Sequence, residues 1–112
     1  MIWNVNELQG RPYLKEAFNK RCLRCLDIIR FYGFNYEEVG VFGSYARGDY
    51  KAHSDIDFCM IISEHPNRLD SGNMRQDLED IGAELVYVTR DTFENSPRPI
   101  YRNMRRDYKR LL

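Results

Sequence analysis

Two aspartates, Asp55 and Asp57, open the most apolar segment of the chain, and a Gly-Ser pair precedes them by ten residues. The segment over 55–62 first alternates acidic with apolar residues and is then wholly apolar. This pattern predicts a strand that is exposed on one face at its start and buried on both faces further along. Side chains two apart share one face of a strand, so the two carboxylates project together from Cα atoms about 6.5–7 Å apart. Like charges this close repel each other, and a compensating group is therefore expected.

The remaining periodicity divides the chain into alternating helices and strands. A loop is predicted over 65–72, and Ser44 is expected to cap a short helix after the first strand. In chain order, the predicted elements are a helix over 12–32, a strand over 37–42, a helix over 44–49, a strand over 55–62, a helix over 73–81, a strand over 84–89 and a helix over 97–112. This order, α-β-α-β-α-β-α, predicts an α/β (α+β) domain with a small mixed sheet of three or more strands flanked by helices. The length of 112 residues suits a single domain over 1–112.

The lengths of the connections predict how the strands meet. Only twelve residues separate Phe42 from Asp55, so the first two strands are expected to be antiparallel neighbours. The twenty-one residues between Ile62 and Glu84 can hold a helical crossover, which suits a parallel neighbour. Strands two and three then begin at the same edge of the sheet, and Glu84 joins the two aspartates there.

Three converging carboxylates form a candidate metal site. Asp55, Asp57 and Glu84 would repel one another, and oxygen ligands of this kind suit Mg²⁺. Two such ions, about 3.5–4 Å apart, can hold the attacking and leaving oxygens of a phosphoryl displacement. Gly43 and Ser44 supply backbone N–H groups and a hydroxyl between a strand and a helix, an arrangement that binds phosphate. The sequence therefore predicts a triphosphate site beside a magnesium site.

Each of these features also has a simpler interpretation. An isolated Gly-Ser can be a strand-to-helix turn, an Asp-x-Asp an exposed strand start, and a single Glu a solvated residue. Together, at this spacing and next to predicted strand ends, they favour the active-site interpretation. Arg47 can contact phosphate or pair with Asp49 on the surface, and the sequence leaves both open. The basic segment over 98–110 is interpreted as a solvated helix face, with a docking surface and an RNA contact as alternatives.

The charge balance and the cysteines limit the class of protein. The chain carries 17 basic and 17 acidic residues, so no net field favours nucleic acid or a membrane, and direct binding to either is not expected. It contains no apolar run of membrane-spanning length and no signal-peptide pattern. Three cysteines without a secretion signal predict a reducing, cytoplasmic location. Cys22, Cys25 and Cys59 are interpreted as packing residues.

The Gly-Ser pair at 43–44, the Asp-x-Asp at 55–57 and Glu84 resemble the signature of the nucleotidyltransferase superfamily with the DNA polymerase β-like fold. The Ala-Arg-Gly-Asp segment at 46–49 adds to this resemblance. The small size and the ending SPRPIYRNMRRDYKRLL resemble the minimal nucleotidyltransferases (MNT proteins), the antitoxin halves of HEPN/MNT toxin–antitoxin pairs. The third carboxylate is often Asp in the superfamily, and Glu84 departs from that pattern by one methylene.

The resemblance implies an activity and a partner. The implied site residues are Asp55, Asp57 and Glu84 for two Mg²⁺ ions, and Gly43, Ser44 and Arg47 for the substrate ATP. A tyrosine hydroxyl of a HEPN ribonuclease toxin would attack the α-phosphate of ATP and receive AMP, which silences the toxin. Glu84 would also help to deprotonate that hydroxyl, and antitoxin and toxin would form a hetero-oligomer. Two alternatives are an antitoxin that acts by binding alone and a small-molecule nucleotidyltransferase of the aminoglycoside type.

Overall fold

The computed structural model describes all 112 residues and contains five α-helices and four strands. A short 3-10 turn at Val5–Glu7 precedes them. In chain order the elements are α1 (Pro12–Tyr32), β1 (Glu38–Phe42), α2 (Gly43–Arg47), β2 (Ile56–Ile61), α3 (Arg68–Glu79), β3 (Ala83–Val88), α4 (Arg90–Asn95), α5 (Pro99–Asp107) and β4 (Lys109–Arg110). The predicted mixed α/β architecture is confirmed.

The four strands form one sheet in the order β3-β2-β1-β4. Strands β1 and β2 pair antiparallel, and β2 and β3 pair parallel through the crossover helix α3. Both pairings were predicted from connection lengths and both are confirmed. At the other edge, the two-residue strand β4 pairs antiparallel with β1. The amide of Trp3 donates to the carbonyl of Arg110 over 2.8 Å, so the two ends of the chain meet at this edge.

Helices cover both faces of the sheet, and β2 is buried between them. Phe58 and Met60 belong to the larger core, which α1 and α3 close from one side. Cys59 and Ile61 belong to a smaller cluster on the opposite face with Met104 of α5. Burying large side chains of this kind stabilises the fold by about 1.5–3 kcal/mol each. Because side chains alternate along a strand, Asp57 shares the face of the smaller cluster, and it is half-buried near the start of β2.

Helix α1 follows the prediction at both ends. Pro12 occupies its first turn, where no backbone N–H is required. Gly33 ends the helix with φ of +66°, a left-handed conformation suited to glycine, and its amide donates to the carbonyl of Ile29. Cys22 and Cys25 lie buried in the core with free thiols, as does Cys59, which confirms their interpretation as packing residues.

The prediction of a loop over 65–72 was wrong, because α3 begins at Arg68 rather than at 73. The side chain of Asn67 accepts hydrogen bonds from the amides of Leu69 and Asp70 at 2.9 and 3.3 Å. This capping satisfies amides that otherwise lack a partner at a helix start, so the helix begins five residues earlier than its apolar pattern indicates. Gly72 is exposed within it, and a Cβ added there would point into open space.

The predicted final helix over 97–112 was also wrong in extent. Helix α5 ends at Asp107, and the chain then extends into β4, while the unpredicted helix α4 precedes it. The cause lies in β1, where a Cβ at Gly40 would collide with the ring of Tyr108 and the carbonyl of Lys109. That close approach lets the chain after α5 pair with β1. None of the helices is both long enough and apolar enough to cross a membrane.

Candidate active site

Asp57 occupies the centre of the edge at which β2 begins. Its register partners are Phe42, the last residue of β1, and Glu84, the second residue of β3. Directly paired residues on adjacent parallel strands lie about 4.8 Å apart and present their side chains to the same face. The fold therefore brings Asp57 and Glu84 together, as predicted, and places Asp57 beside the turn that follows β1.

Gly43 makes that turn, and no other residue fits there without strain. Its φ is +71°, in the left-handed region that favours glycine. A Cβ at this position would lie 2.8 Å from Oδ2 of Asp57. Gly43 therefore allows the backbone after β1 to approach the Asp57 carboxylate, which is the close approach that a phosphate-binding turn requires.

Ser44 lies within α2 rather than at its cap. The capping position belongs to Phe42, and its side chain cannot accept a hydrogen bond, so the prediction of Ser44 as a cap was wrong. The reason is that α2 begins one residue earlier than predicted, at Gly43. Ser44 is half-buried, in the first turn of the helix and directly after the glycine at which a Cβ would meet Asp57.

The environment of Asp57 penalises its ionised form. Burial raises the pKa of this carboxyl, the charges of Glu84 and Asp55 raise it further, and Arg47 lowers it, leaving the pKa at about 6. Asp55 lies one residue before β2 and is exposed, and Glu84 is exposed as well. Asp57 is therefore the half-buried member of the group, and it lies close enough to Asp55 and Glu84 for their charges to raise its pKa.

The three carboxylates fit a divalent cation in chemistry but are not gathered around one position. Hard oxygen donors in a negatively charged, half-buried site suit Mg²⁺, and a cation there would relieve the repulsion on Asp57. No group of three His, Cys, Asp or Glu side chains in the structure lies close enough to hold a metal ion. Mutual repulsion favours separated rotamers for Asp55 and Glu84, which are free to turn because both are exposed. The metal-ligand roles of these residues stay predictions.

Arg47 is held beside the site by two carboxylates. Its Nε donates to Asp49 at 3.1 Å, which is one of the two contacts that the sequence left open, and its Nη1 donates to Asp107 at 2.7 Å. Arg106 also binds Asp107, at 3.0 Å. Hydrogen bonds from Arg106 and Arg47 keep the pKa of Asp107 below its ordinary value, despite the burial of its side chain. Contact between Arg47 and phosphate stays a prediction.

Asp107 is the site-supporting residue that the sequence reasoning missed. It is the single acid in the basic segment over 98–110, which was a signal for an internal partner. That partner, Arg47, lies 60 residues away in the chain. The contact ties the end of α5 to α2, and so to the turn that carries Gly43.

Comparison with known proteins identifies the family. A model of the nucleotidyltransferase domain matches residues 24–110, which is most of the chain. The chain belongs to the nucleotidyltransferase domain family. The region that matches the nucleotidyltransferase domain includes the Gly-Ser turn, the paired aspartates and Glu84, so the resemblance noted from the sequence is confirmed at the level of the family.

The chain is similar in sequence to a protein adenylyltransferase and in fold to solved toxin–antitoxin and minimal nucleotidyltransferase structures. Protein adenylyltransferase MntA of Thermococcus cleftensis is 41% identical over 46 residues, which are 41% of this chain and 46% of that protein. The match thus spans about half the length of this relative. A toxin–antitoxin crystal structure with AMP-PNP is similar with a TM-score of 0.61 and 18% identity, over 80% of this chain and 71% of that one. A minimal nucleotidyltransferase structure has a TM-score of 0.55 and 24% identity, over 83% of this chain and 91% of that one. At these identities the two structures show a shared fold.

Proposed function

We propose that this protein transfers AMP from ATP to a hydroxyl of a partner toxin and thereby acts as an antitoxin. The hydroxyl is that of a tyrosine, and the partner is a HEPN-type ribonuclease with which the protein forms a hetero-oligomer. One observation carries the proposal: Asp57 is paired with Glu84 on one side and lies beside the Gly43 turn on the other. The similarity to a protein adenylyltransferase and to a toxin–antitoxin complex with AMP-PNP supports the choice of adenylyl group and partner.

The candidate site residues have different roles, which follow from their positions along the sheet edge. Gly43 and Ser44 bind the β- and γ-phosphates through backbone N–H groups and the serine hydroxyl. Arg47, fixed by its two carboxylates, adds positive charge on the same side. Glu84 receives the proton of the acceptor hydroxyl, which lets the oxygen attack.

The reaction is a displacement at the α-phosphorus of ATP. The acceptor oxygen forms a bond to that phosphorus while the bond from phosphorus to the bridging oxygen of the β-phosphate breaks, and pyrophosphate leaves. Asp55, Asp57 and Glu84 would hold Mg²⁺, which when bound neutralises phosphate charge and stabilises the leaving group. Asp57, whose pKa is about 6, is ionised at neutral pH and so available as a ligand.

The test is transfer of labelled AMP in the presence of Mg²⁺ to a toxin that is co-expressed with this protein. Wild type is expected to label the toxin on a tyrosine, identified by mass spectrometry, and to release pyrophosphate. Asp57→Asn is expected to abolish both, whereas Glu64→Gln, a change in an exposed loop, is expected to leave both unchanged. Absence of transfer by wild type would refute the proposed activity.

A second candidate function is an antitoxin that acts by binding alone. The separated positions of the three carboxylates favour it, because the side chains do not form a ready metal site. The two functions differ in the behaviour of Asp57→Asn in cells. If that variant still protects cells from the toxin and wild type leaves the toxin unmodified, binding alone accounts for protection.

A further inference from the structure

A basic cleft of about 750 Å³ opens beside Asp55, on the side away from the Gly43 turn. We define it by the residues of α1, of the loop before β2 and of the turn before β3 that line it. The cleft-lining residues that carry the argument are Lys20, Arg21, Arg24, His53, Asp55 and Gly82. Asp55 is the one residue that the basic cleft shares with the candidate active site.

Arg21 is fixed at the centre of the basic cleft. Its guanidinium lies over the ring of Phe18, 4.5 Å from the ring centre, and donates to the carbonyl of Ser54 over 3.3 Å. A Cβ at Gly82 would lie 3.0 Å from Nη1 of Arg21. Ser54 immediately precedes Asp55, and Gly82 lies two residues before Glu84. Arg21 therefore contacts both turns that deliver carboxylates to the active site.

Positive charge in the basic cleft is only partly compensated. The ion pairs on α1 join Lys20 to Glu16 at 3.1 Å and Arg30 to Asp27 at 3.5 Å, which leaves the nearby Arg21 and Arg24 without a carboxylate. Asp80 also lines the cleft, and it accepts a hydrogen bond from the side chain of Gln76 at 2.9 Å. The lining therefore holds three cations, Lys20, Arg21 and Arg24, and two carboxylates, Asp55 and Asp80. Because Lys20 is paired with Glu16, the uncompensated charge is that of Arg21 and Arg24.

The order of the strands along this sheet edge indicates which of the reacting groups lies on the same side as the basic cleft. The Gly43 turn follows β1, Asp57 lies on the central strand β2, and Gly82 precedes the outer strand β3. Neither Gly43 nor Asp57 lines the cleft. Attacking and leaving oxygens lie roughly in line on opposite sides of the transferred phosphorus. If pyrophosphate leaves toward Gly43, the attacking hydroxyl arrives from the side of the cleft.

We propose that the basic cleft binds an acidic peptide segment of the partner protein, which carries the acceptor hydroxyl to the carboxylates. This assignment rests on the proposed function and adds the chemistry of the segment that is recognised. Arg21 and Arg24 pair with carboxylates that flank the acceptor residue, and such pairs set specificity and the rate of association. A peptide is favoured over RNA because the lining residues include no Phe, Tyr or Trp, the large aromatic side chains on which successive bases stack.

The experiment measures binding of two labelled peptides, EEYEE and KKYKK, by fluorescence anisotropy at low salt. Wild type is expected to prefer the acidic peptide by about tenfold or more, the factor that corresponds to about 1.4 kcal/mol. The double variant Lys20→Gln/Arg24→Gln changes two cleft cations on the exposed side of α1, and it is expected to lose that preference. Arg30→Gln, on the same helix but outside the cleft, is the matched control and is expected to retain it.

A measurement of nucleotide binding distinguishes a failure of the cleft assignment from a failure of the proposed function. Binding of fluorescent ATP with Mg²⁺ is expected to be the same in wild type and in the double variant. Two results with the peptides would overturn the cleft assignment: an equal affinity of wild type for both peptides, or an undiminished preference for EEYEE in the double variant. Displacement of EEYEE by oligouridine would also overturn it, as would a tenfold loss of ATP binding in the double variant. Asp57→Asn, in contrast, tests the proposed function: it is expected to lose ATP binding with Mg²⁺ while still binding EEYEE. A wild type that binds EEYEE but transfers no AMP would refute the activity and leave the cleft assignment standing.

Discussion

Replacing Asp57 by Asn is expected to stabilise the free protein while it removes the proposed activity. Burial and the neighbouring acids raise the pKa of Asp57 from 3.8 to about 6, so the folded state disfavours its charge. A group whose pKa is raised on folding gives its full contribution to stability below its unfolded pKa. That contribution is lost as the pH rises through about 6, the folded value. The Asn side chain is close in shape to Asp and carries no charge, so the variant does not lose this stability as the pH rises.

The magnitude follows from the size of the shift. A change from 3.8 to about 6 corresponds to about 3 kcal/mol, at about 1.4 kcal/mol for each pKa unit. Asp57 is half-buried at the sheet edge, where solvent screens part of the repulsion. We therefore expect Asp57→Asn to raise the free energy of unfolding by about 1–2 kcal/mol at pH 7.5, and by close to zero at pH 4.

Urea denaturation in EDTA, followed by circular dichroism at the two pH values, measures this difference. Glu64→Gln, in an exposed loop, is the control and is expected to stay within about 0.5 kcal/mol of wild type at both. Addition of MgCl₂ is expected to raise the denaturation midpoint of wild type and not that of Asp57→Asn, because a ligand stabilises only the state that binds it. The reasoning is refuted if Asp57→Asn is less stable than wild type at pH 7.5, or if its gain is equally large at pH 4.

Three further substitutions test the contacts around Asp57. Gly43→Ala places a Cβ at φ of +71° and against Oδ2 of Asp57, so thermal unfolding is expected to show a loss of about 1–2 kcal/mol; unchanged stability would contradict the contact. Asp107→Asn weakens the anchor of Arg47 and is expected to cost about 1–2 kcal/mol at pH 7. Since the pKa of Asp107 is lowered on folding, its contribution to the free energy of unfolding is lost as the pH falls through its folded pKa. If Asp107→Asn is still less stable than wild type in acid, the ion pair does not explain the difference. Glu84→Gln is expected to lower the pKa of Asp57, followed by NMR titration of its carboxyl carbon; an unchanged pKa would show that the two groups are not neighbours.

The central part of the fold was predictable because local pattern and connection length agree there. The segment over 55–62 changes from alternating to wholly apolar, and the structure buries β2 on both faces in the same way. The crossover length predicted a parallel pair, and that pair places Glu84 directly opposite Asp57. Gly43 was predicted to lie between a strand and a helix, and it makes that turn with φ of +71° beside the Asp57 carboxylate.

The parts that the sequence did not predict depend on tertiary contacts. Ile100, Met104, Tyr108 and Leu111 have helical spacing, but Ile100 is 55% exposed and the chain leaves the helix before Tyr108. The space above Gly40, which admits Tyr108, is visible only once β1 has been placed. The contact of Arg47 with Asp107 likewise joins segments that are distant in sequence, and the hydrophobic periodicity of the sequence does not indicate such a pair.

The meeting of both chain ends at one sheet edge has a consequence for protein engineering. Besides the bond from Trp3 to Arg110, the amide of Val39 donates to the carbonyl of Leu112 over 3.1 Å, so the last residues lie along β1. A short glycine-rich linker would join the ends there, and new ends can be opened in the exposed loop at 63–64. Such a circular permutant keeps every strand pairing while it reverses which half of the active site is synthesised first.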